Sequence, residues 1–309
     1  MAQELPDQPS TRPLNVIGIL HHPHKPISVP LAQEIQGWLV ARGREAWLAS
    51  SWDEPAVRES IEETDLIITL GGDGSLLRAA RLAAPYRALL LGVNLGRVGF
   101  LSECSPDHWQ GPLARLLAHD YWVEERMMLY TETQRDGEII GRHQALNDVV
   151  ISRGSLARAI RLDAWVDGGY LASYFADGLI VSTATGSTAY ALAVGGPILP
   201  PELRSILIIP IAPHLSMDRA VVLAQGAQVR ALVKTDHQAI LTVDGQYEFD
   251  LQSGDQLLIK ASPHLCRFGR VQPRSYFYRT LLARLVPTEP ASGGGHGPAG
   301  GYNPAGNYG

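Results

Sequence analysis

The chain has 309 residues, 45% of them hydrophobic, and a formal net charge of −5, enough apolar material for one large or two ordinary packed domains. The slight acidity gives no reason to expect nucleic acid or an anionic membrane as the main partner. Cys104 and Cys266 match no metal or redox spacing and read as reduced structural thiols of a cytoplasmic protein; residues 1–13 lack the apolar core of a secretory signal, and no run of about 18 apolar residues predicts a membrane span.

Taken in order, residues 15–20 read as an apolar strand. Ser28 is placed to cap a helix running to Arg42, with Leu31, Ile35, Trp38 and Leu39 on one face and Gly43 at the position after the C-cap. A short strand at 46–49 and a weaker helical piece at 54–63 follow. Residues 66–70 form a β-branched run that stops at Gly71-Gly72. Ser75 is expected to cap a helix beginning at Leu76 and ending near Pro85. Another apolar strand, 88–93, runs into Asn94, and Ser105-Pro106 opens a helix with Leu113, Leu116 and Leu117 as its buried stripe. Strand and helix alternate, which predicts an α/β N-terminal domain over 14–122, with a parallel sheet and helices on both faces.

The pattern changes after Tyr121. A hairpin is predicted from 128–134, a turn at 135–138 and a return strand from Ile139. Strands at 145–151, 161–166, 171–176, 179–182, 206–211, 228–233, 239–243, 247–251 and 256–260 follow, with few helices between them and turns at Asp167-Gly168-Gly169 and Asp244-Gly245-Gln246. This predicts a β-rich C-terminal domain over 123–274. A helix over 276–285 is expected to return residues 275–286 to the first domain. The last nineteen residues hold eight glycines, so 291–309 is expected to be a disordered tail.

Two stretches carry chemistry. The strand, the turn Gly71-Gly72-Asp73-Gly74-Ser75 and the helix after it form the usual arrangement for holding phosphate, with glycines that let backbone N–H groups approach an anion. A carboxylate there repels phosphate unless it has a task. Asp73 fits two, holding a divalent cation or taking a proton from an attacking hydroxyl, and the bland account is an Asx-turn. The second stretch runs from Asp177 to Pro197 and gathers Thr183, Thr185, Ser187 and Thr188 ahead of helix formers from Ala189 onward. Hydroxyls at a helix start suit a polyhydroxylated or phosphorylated ligand. Asn147-Asp148 on an apolar strand suits ribose hydroxyls, a strand-end bulge or turn being the competing account. His21-His22-Pro23-His24 fits no structural zinc spacing and reads as an exposed loop with a minor phosphate contact.

These motifs together resemble those of NAD kinases, in the superfamily that also holds diacylglycerol and sphingosine kinases. Gly71-Gly72-Asp73-Gly74 resembles the GGDG loop, Asn94-Leu95-Gly96-Arg97-Val98-Gly99-Phe100-Leu101 the NxGxxGFL segment, and Asn147-Asp148 the Asn-Glu/Asp pair. Asp177-Gly178, Thr185 to Tyr190 and Gly195-Gly196-Pro197 match the longest signature. The resemblance implies transfer of the terminal phosphoryl group of ATP to the 2′-hydroxyl of the adenosine ribose of NAD, in a cleft between the two domains. It implies Asp73 as general base, a phosphate loop of Gly71, Gly72, Gly74 and Ser75, and ribose contacts from Asn147 and Asp148. Thr188, Ala189, Tyr190, Ala191, Leu192 and Ala193 would pack around adenine and its ribose, and Asp177, Gln246 and Arg158 would complete an NAD site that also involves Gly74. A divalent cation, usually magnesium, and a homodimer or homotetramer are implied as well. The chain departs from the pattern at Ser75 (commonly Thr), Ala184 (commonly Pro), Phe175 (often basic) and Met217-Asp218-Arg219-Ala220. A lipid or sugar kinase would need partner motifs that are absent. A regulatory protein without catalysis sits badly with an intact Asp73, and a dinucleotide-binding dehydrogenase lacks its GxGxxG after the first strand.

Overall fold

The computed structural model describes residues 13–96, 99–154, 158–214 and 217–285. The tail at 291–309 lies outside them, as do Arg97 and Val98. The described chain divides into two units, one ending at Pro273 and one starting at Arg274.

The first unit begins with β1 (Val16–His21), α1 (Ser28–Val40), β2 (Glu45–Ser50), α2 (Glu54–Ser60), β3 (Leu66–Gly71), α3 (Asp73–Ala83), β4 (Leu89–Asn94) and α4 (Gln110–Leu117). The strands pair in parallel in the order β2-β1-β3-β4. Alternate residues of each strand point to opposite faces. Ile17, Ile19, Leu66, Ile68 and Leu91 pack with Leu31, Ile35, Leu39 of α1 and Leu113, Leu116 of α4. Leu20, Ile67 and Leu90 pack with Val57 of α2 and Leu76, Leu77, Ala80 of α3 on the other face. The inner strands β1, β3 and β4 are buried on both sides, which is why they read as continuous apolar runs, whereas the edge strand β2 is only half-buried.

The β-rich part comprises β5 (Trp122–Arg135), β6 (Glu138–Ala145), β7 (Asp148–Arg153), β8 (Ile160–Val166), β9 (Gly169–Ala176), β10 (Gly178–Thr183), α5 (Tyr190–Ala193), β11 (Ser205–Ile211), β12 (Val221–Ala224), β13 (Gln228–Lys234), β14 (Ala239–Val243), β15 (Tyr247–Leu251) and β16 (Gln256–Arg270). One sheet has the order β12-β11-β10-β7-β14-β15. The other carries the parallel sheet onward as β4-β16-β13-β8-β9, with β5 and β6 branching from β16. The inner faces of the two sheets bury a common apolar core that includes Val149, Ile151, Leu179, Val181, Leu241, Val229 and Leu257. The β5–β6 turn places Asp136 and Gly137 at φ 51° and 85°, as a two-residue hairpin requires.

Several local expectations are corrected. The strand expected at 256–260 runs on to Arg270, and Arg267 and Phe268 pair in parallel with Leu89 and Leu90 of β4. The run expected as one strand at 145–151 is broken at Leu146 and Asn147. Ser28 does not cap its own helix; its hydroxyl accepts the His22 N–H at 2.7 Å. Helix α3 starts at Asp73, capped by the backbone of Gly72, and the Ser75 side chain folds back onto Gly71. The helix foreseen after Thr188 is a single turn, α5, preceded by a 3-10 turn at Thr185–Thr188. The second unit contains α6 (Tyr276–Leu285). Among the described residues no helix is long and apolar enough to cross a membrane.

Candidate active site

Parallel strands β3 and β4 end side by side, Gly71 opposite Asn94, and the loops that follow them face each other. The Leu95 N–H donates to Gly71 O at 2.9 Å. The Asn94 side chain organises the second loop, its amide donating to Ser102 Oγ at 3.1 Å and its oxygen accepting from Gly96 N at 2.8 Å. From the first turn of α3, the half-buried Asp73 carboxylate crosses to this loop. It accepts the Phe100 N–H at 2.7 Å and the Leu101 N–H at 3.3 Å. Gly99 lies directly under that carboxylate, where any Cβ would collide with both oxygens.

The β-rich part meets α3 from the other side. Gln246 Nε2 donates to Gly74 O at 2.5 Å, while Arg81, two turns along α3, donates to Gln246 Oε1 at 2.6 Å and to Asp244 Oδ2 at 3.1 Å. Asp244 is more than the turn residue its Asp-Gly-Gln context predicts. Its fully buried carboxylate accepts the N–H groups of Leu146 (3.0 Å), Asn147 (2.8 Å) and Asp148 (3.2 Å). Those three donors turned toward one carboxylate are the reason that the strand breaks there. The turn holds Asp244 at φ 52°. Asp244 and Arg81 were not legible as site residues, because an Asp-Gly pair between two strands already has a sufficient local explanation.

Asn147 and Asp148 are thereby presented next to the hydroxyl-rich loop. Thr183 Oγ1 donates to Leu146 O at 2.6 Å and accepts from Gly186 N, and Ser182 Oγ donates to Asn147 O at 3.0 Å. Gly186 packs so closely on the Asn147 carbonyl that a side chain has no room. Ser187 ties the loop to Leu199 N at 2.9 Å, and Thr188 Oγ1 donates to Thr185 O. Most of the hydroxyls read as ligand-facing therefore hold the loop's own shape. Beyond the loop, Ala191 is buried, Leu192 half-buried, and Tyr190 and Ala193 exposed. Burial pushes the Asp148 carboxyl up to about 7, with the nearby Asp244 adding to the rise.

Asp73, Gly74, Gln246, Asn147, Asp148 and the 183–193 segment are thus brought onto one connected framework. Asp177 and Arg158 are not. Asp177 precedes β10, whose far end carries Thr183, roughly 20 Å away at about 3.3 Å per residue. It pairs with Arg153 at 2.9 Å, and the exposed Arg158 lies against His237 at 3.4 Å. His22 and His24 stand beside Trp52, and the His24 and Trp52 rings meet edge to face at 4.9 Å. Both cysteines are free and buried, and burial pushes the Cys104 thiol up to about 12.

The ATP-NAD kinase N-terminal domain model matches residues 45–121 and the ATP-NAD kinase C-terminal domain model matches residues 146–271. The chain is 39% identical over 272 residues to the NAD kinase of Chloroflexus aggregans, covering 88% of this chain and 99% of that one. The chain belongs to the NAD kinase family. The NAD kinase of Heliobacterium modesticaldum is 42% identical over 270 residues, covering 84% of this chain and 95% of its own. Among solved structures, an Archaeoglobus fulgidus NAD kinase in complex with ATP superposes with TM-score 0.69 at 26% identity, covering 88% of this chain and 98% of that one. Yeast NADH kinase complexed with NADH shares the fold, with TM-score 0.76 over 91% of each chain at 22% identity. As an NAD kinase, the chain is a phosphotransferase acting on an alcohol group. It carries a phosphoryl group from ATP to NAD to give NADP and ADP.

Proposed function

We propose that Asp73 is the general base of this NAD kinase and takes the proton from the 2′-hydroxyl of the adenosine ribose as that oxygen attacks the terminal phosphorus of ATP. The observation that carries the reading is the placement of its carboxylate. It stands at the start of α3, next to the Gly71–Gly74 turn, with its oxygens oriented by the Phe100 and Leu101 N–H groups. Gly71, Gly72, Gly74 and Ser75 hold the donor phosphates, where the N-terminus of α3 favours negative charge. Asn147 and Asp148 hold ribose hydroxyls, the 188–193 segment packs on adenine and its ribose, and Gln246 closes the NAD site against Gly74. A ribose hydroxyl is a poor nucleophile, and a positioned base contributes about 10²–10⁴-fold.

Among the described residues no three His, Cys, Asp or Glu side chains stand together as a cage. A magnesium ion that arrives on the triphosphate held by the glycine turn would neutralise charge on the transferred phosphoryl group. We assign the protein to the cytoplasm and to a homodimer or homotetramer. Oligomerisation accounts for Asp177, since a second copy would bring it to a site that its own chain holds roughly 20 Å away; we extend the same reading to Arg158.

The test is a coupled assay with NAD, ATP and magnesium, NADP being detected by an NADP-specific dehydrogenase. The unaltered protein is expected to form NADP, and Asp73→Asn to bind NAD nearly as well while turning over at least about 100-fold more slowly. Wild-type turnover by Asp73→Asn would remove Asp73 from the role of base.

A further inference from the structure

A group of buried charges lies beneath the two loops that close the site. On β5, Glu124 and Arg126 are two residues apart and so share a face. Arg270 reaches them from the end of β16. All three are at least nine-tenths buried. Glu124 Oε1 accepts from Arg126 Nη2 at 2.8 Å and Glu124 Oε2 from Arg270 Nε at 2.7 Å. Each guanidinium uses a second prong on a different loop. Arg270 Nη1 donates to Leu101 O at 2.8 Å, and Arg126 Nη1 donates to Thr185 Oγ1 at 3.1 Å.

Burial disfavours the Glu124 carboxylate, but Arg270 and Arg126 outweigh it and bring the carboxyl down to about 2. Glu124 is thus ionised across the working pH range. Stability alone does not explain the arrangement, because apolar side chains of similar volume often replace buried ion pairs at no loss. What charged groups add is direction, since a guanidinium is a planar fork with fixed donor angles. The connections run in one line. Asp73 is held by the N–H groups of Phe100 and Leu101, Leu101 O by Arg270, Arg270 by Glu124, Glu124 by Arg126, and Arg126 holds Thr185 at the head of the loop that leads to Thr188.

We propose that Arg270 and Arg126, joined through Glu124, are positioning residues with separate tasks: Arg270 sets the loop that aims Asp73, and Arg126 sets the loop that receives NAD. The inference rests on the reading of Asp73 as base. The test compares Arg270→Lys and Arg126→Lys in the full chain by steady-state kinetics, with melting temperatures recorded. Lysine keeps the charge but cannot hold two acceptors at the guanidinium angles. Arg270→Lys is expected to lower kcat about tenfold with the KM for NAD within about twofold, because misplacement of the base affects the chemical step. Arg126→Lys is expected to raise the KM for NAD about tenfold with kcat within about threefold. Any other pattern overturns the proposal, including equal proportional losses in both variants or no change in either. If a lysine variant does not fold, Thr185→Val removes only the hydroxyl; a raised KM for NAD with near-normal kcat supports the proposal, and an unchanged KM overturns it. Asp73→Asn run in parallel separates the two failures. Its retained turnover would sink the base assignment, whereas an inactive Asp73→Asn beside unsplit lysine variants would sink only the positioning roles.

Discussion

Asp148 shows what a buried carboxyl costs at the scale of one residue. The residue is 4% exposed, and its carboxyl is pushed up to about 7 from an ordinary 3.8, first by burial and then by Asp244. Between those values the native state keeps a proton that the unfolded chain has released. The contribution of Asp148 to stability is therefore fully present below pH 3.8 and lost as the pH rises through 7. Asp148→Asn removes this penalty. The melting temperature of the variant should gain on that of the unaltered protein between pH 5 and pH 8, by at least about 2 °C, as read by calorimetry without ligand; a constant difference across that range would contradict the buried carboxyl. In the sequence, Asn147-Asp148 already stood out as polar residues on an apolar run. Asp244 did not, because its reason lies in three N–H groups nearly a hundred positions away.

At the scale of an element, the segment from Asn94 to Leu101 is a shaped receptacle for Asp73. Its described residues contribute two N–H donors and a bare Cα at Gly99, against which the carboxylate rests. Gly99→Ala should push the carboxylate off both donors and lower kcat about 10- to 100-fold, while the melting temperature falls by only a few degrees. Steady-state assay and calorimetry on one preparation would check this, and normal turnover would show that the docked carboxylate is not the working one. Strand and helix positions were largely legible because burial on both faces gives apolar runs and burial on one gives periodicity. Caps were less so: Ser28 and Ser75 both occupy plausible capping positions, yet each side chain turns back toward the segment just before its helix, Ser28 to the His22 N–H and Ser75 onto Gly71.

For the whole molecule, β16 is the decisive element. Its first half pairs with β13 and its last residues pair with β4, so one sheet passes without a break from the parallel part into the β-rich part. Met128, Leu146, Cys266 and Phe268 pack in the same core as α3, which locks the glycine turn to the Asn147–Asp148 break. The proposed oligomer carries a prediction at this scale. Asp73→Asn and Asp177→Ala should each be inactive alone, yet mixed after dissociation they should recover up to about a quarter of the activity. Recovery follows if Asp177 serves the site of a second copy, because one mixed site then has both residues intact. No recovery from mixed assemblies confirmed by mass would place Asp177 outside that role. The alternation of strands and helices, the glycine turn with its carboxylate, and the family were all legible in the amino-acid sequence, since short-range pattern and contiguous motifs are local properties of the chain. The three-dimensional fold alone sets Asp244 and Arg81 around the Asn147–Asp148 break, joins the two parts through β16, and links the loops through Glu124, Arg126 and Arg270. Those relations are made by hydrogen bonds and pairings between residues far apart in the chain, and no local pattern encodes them.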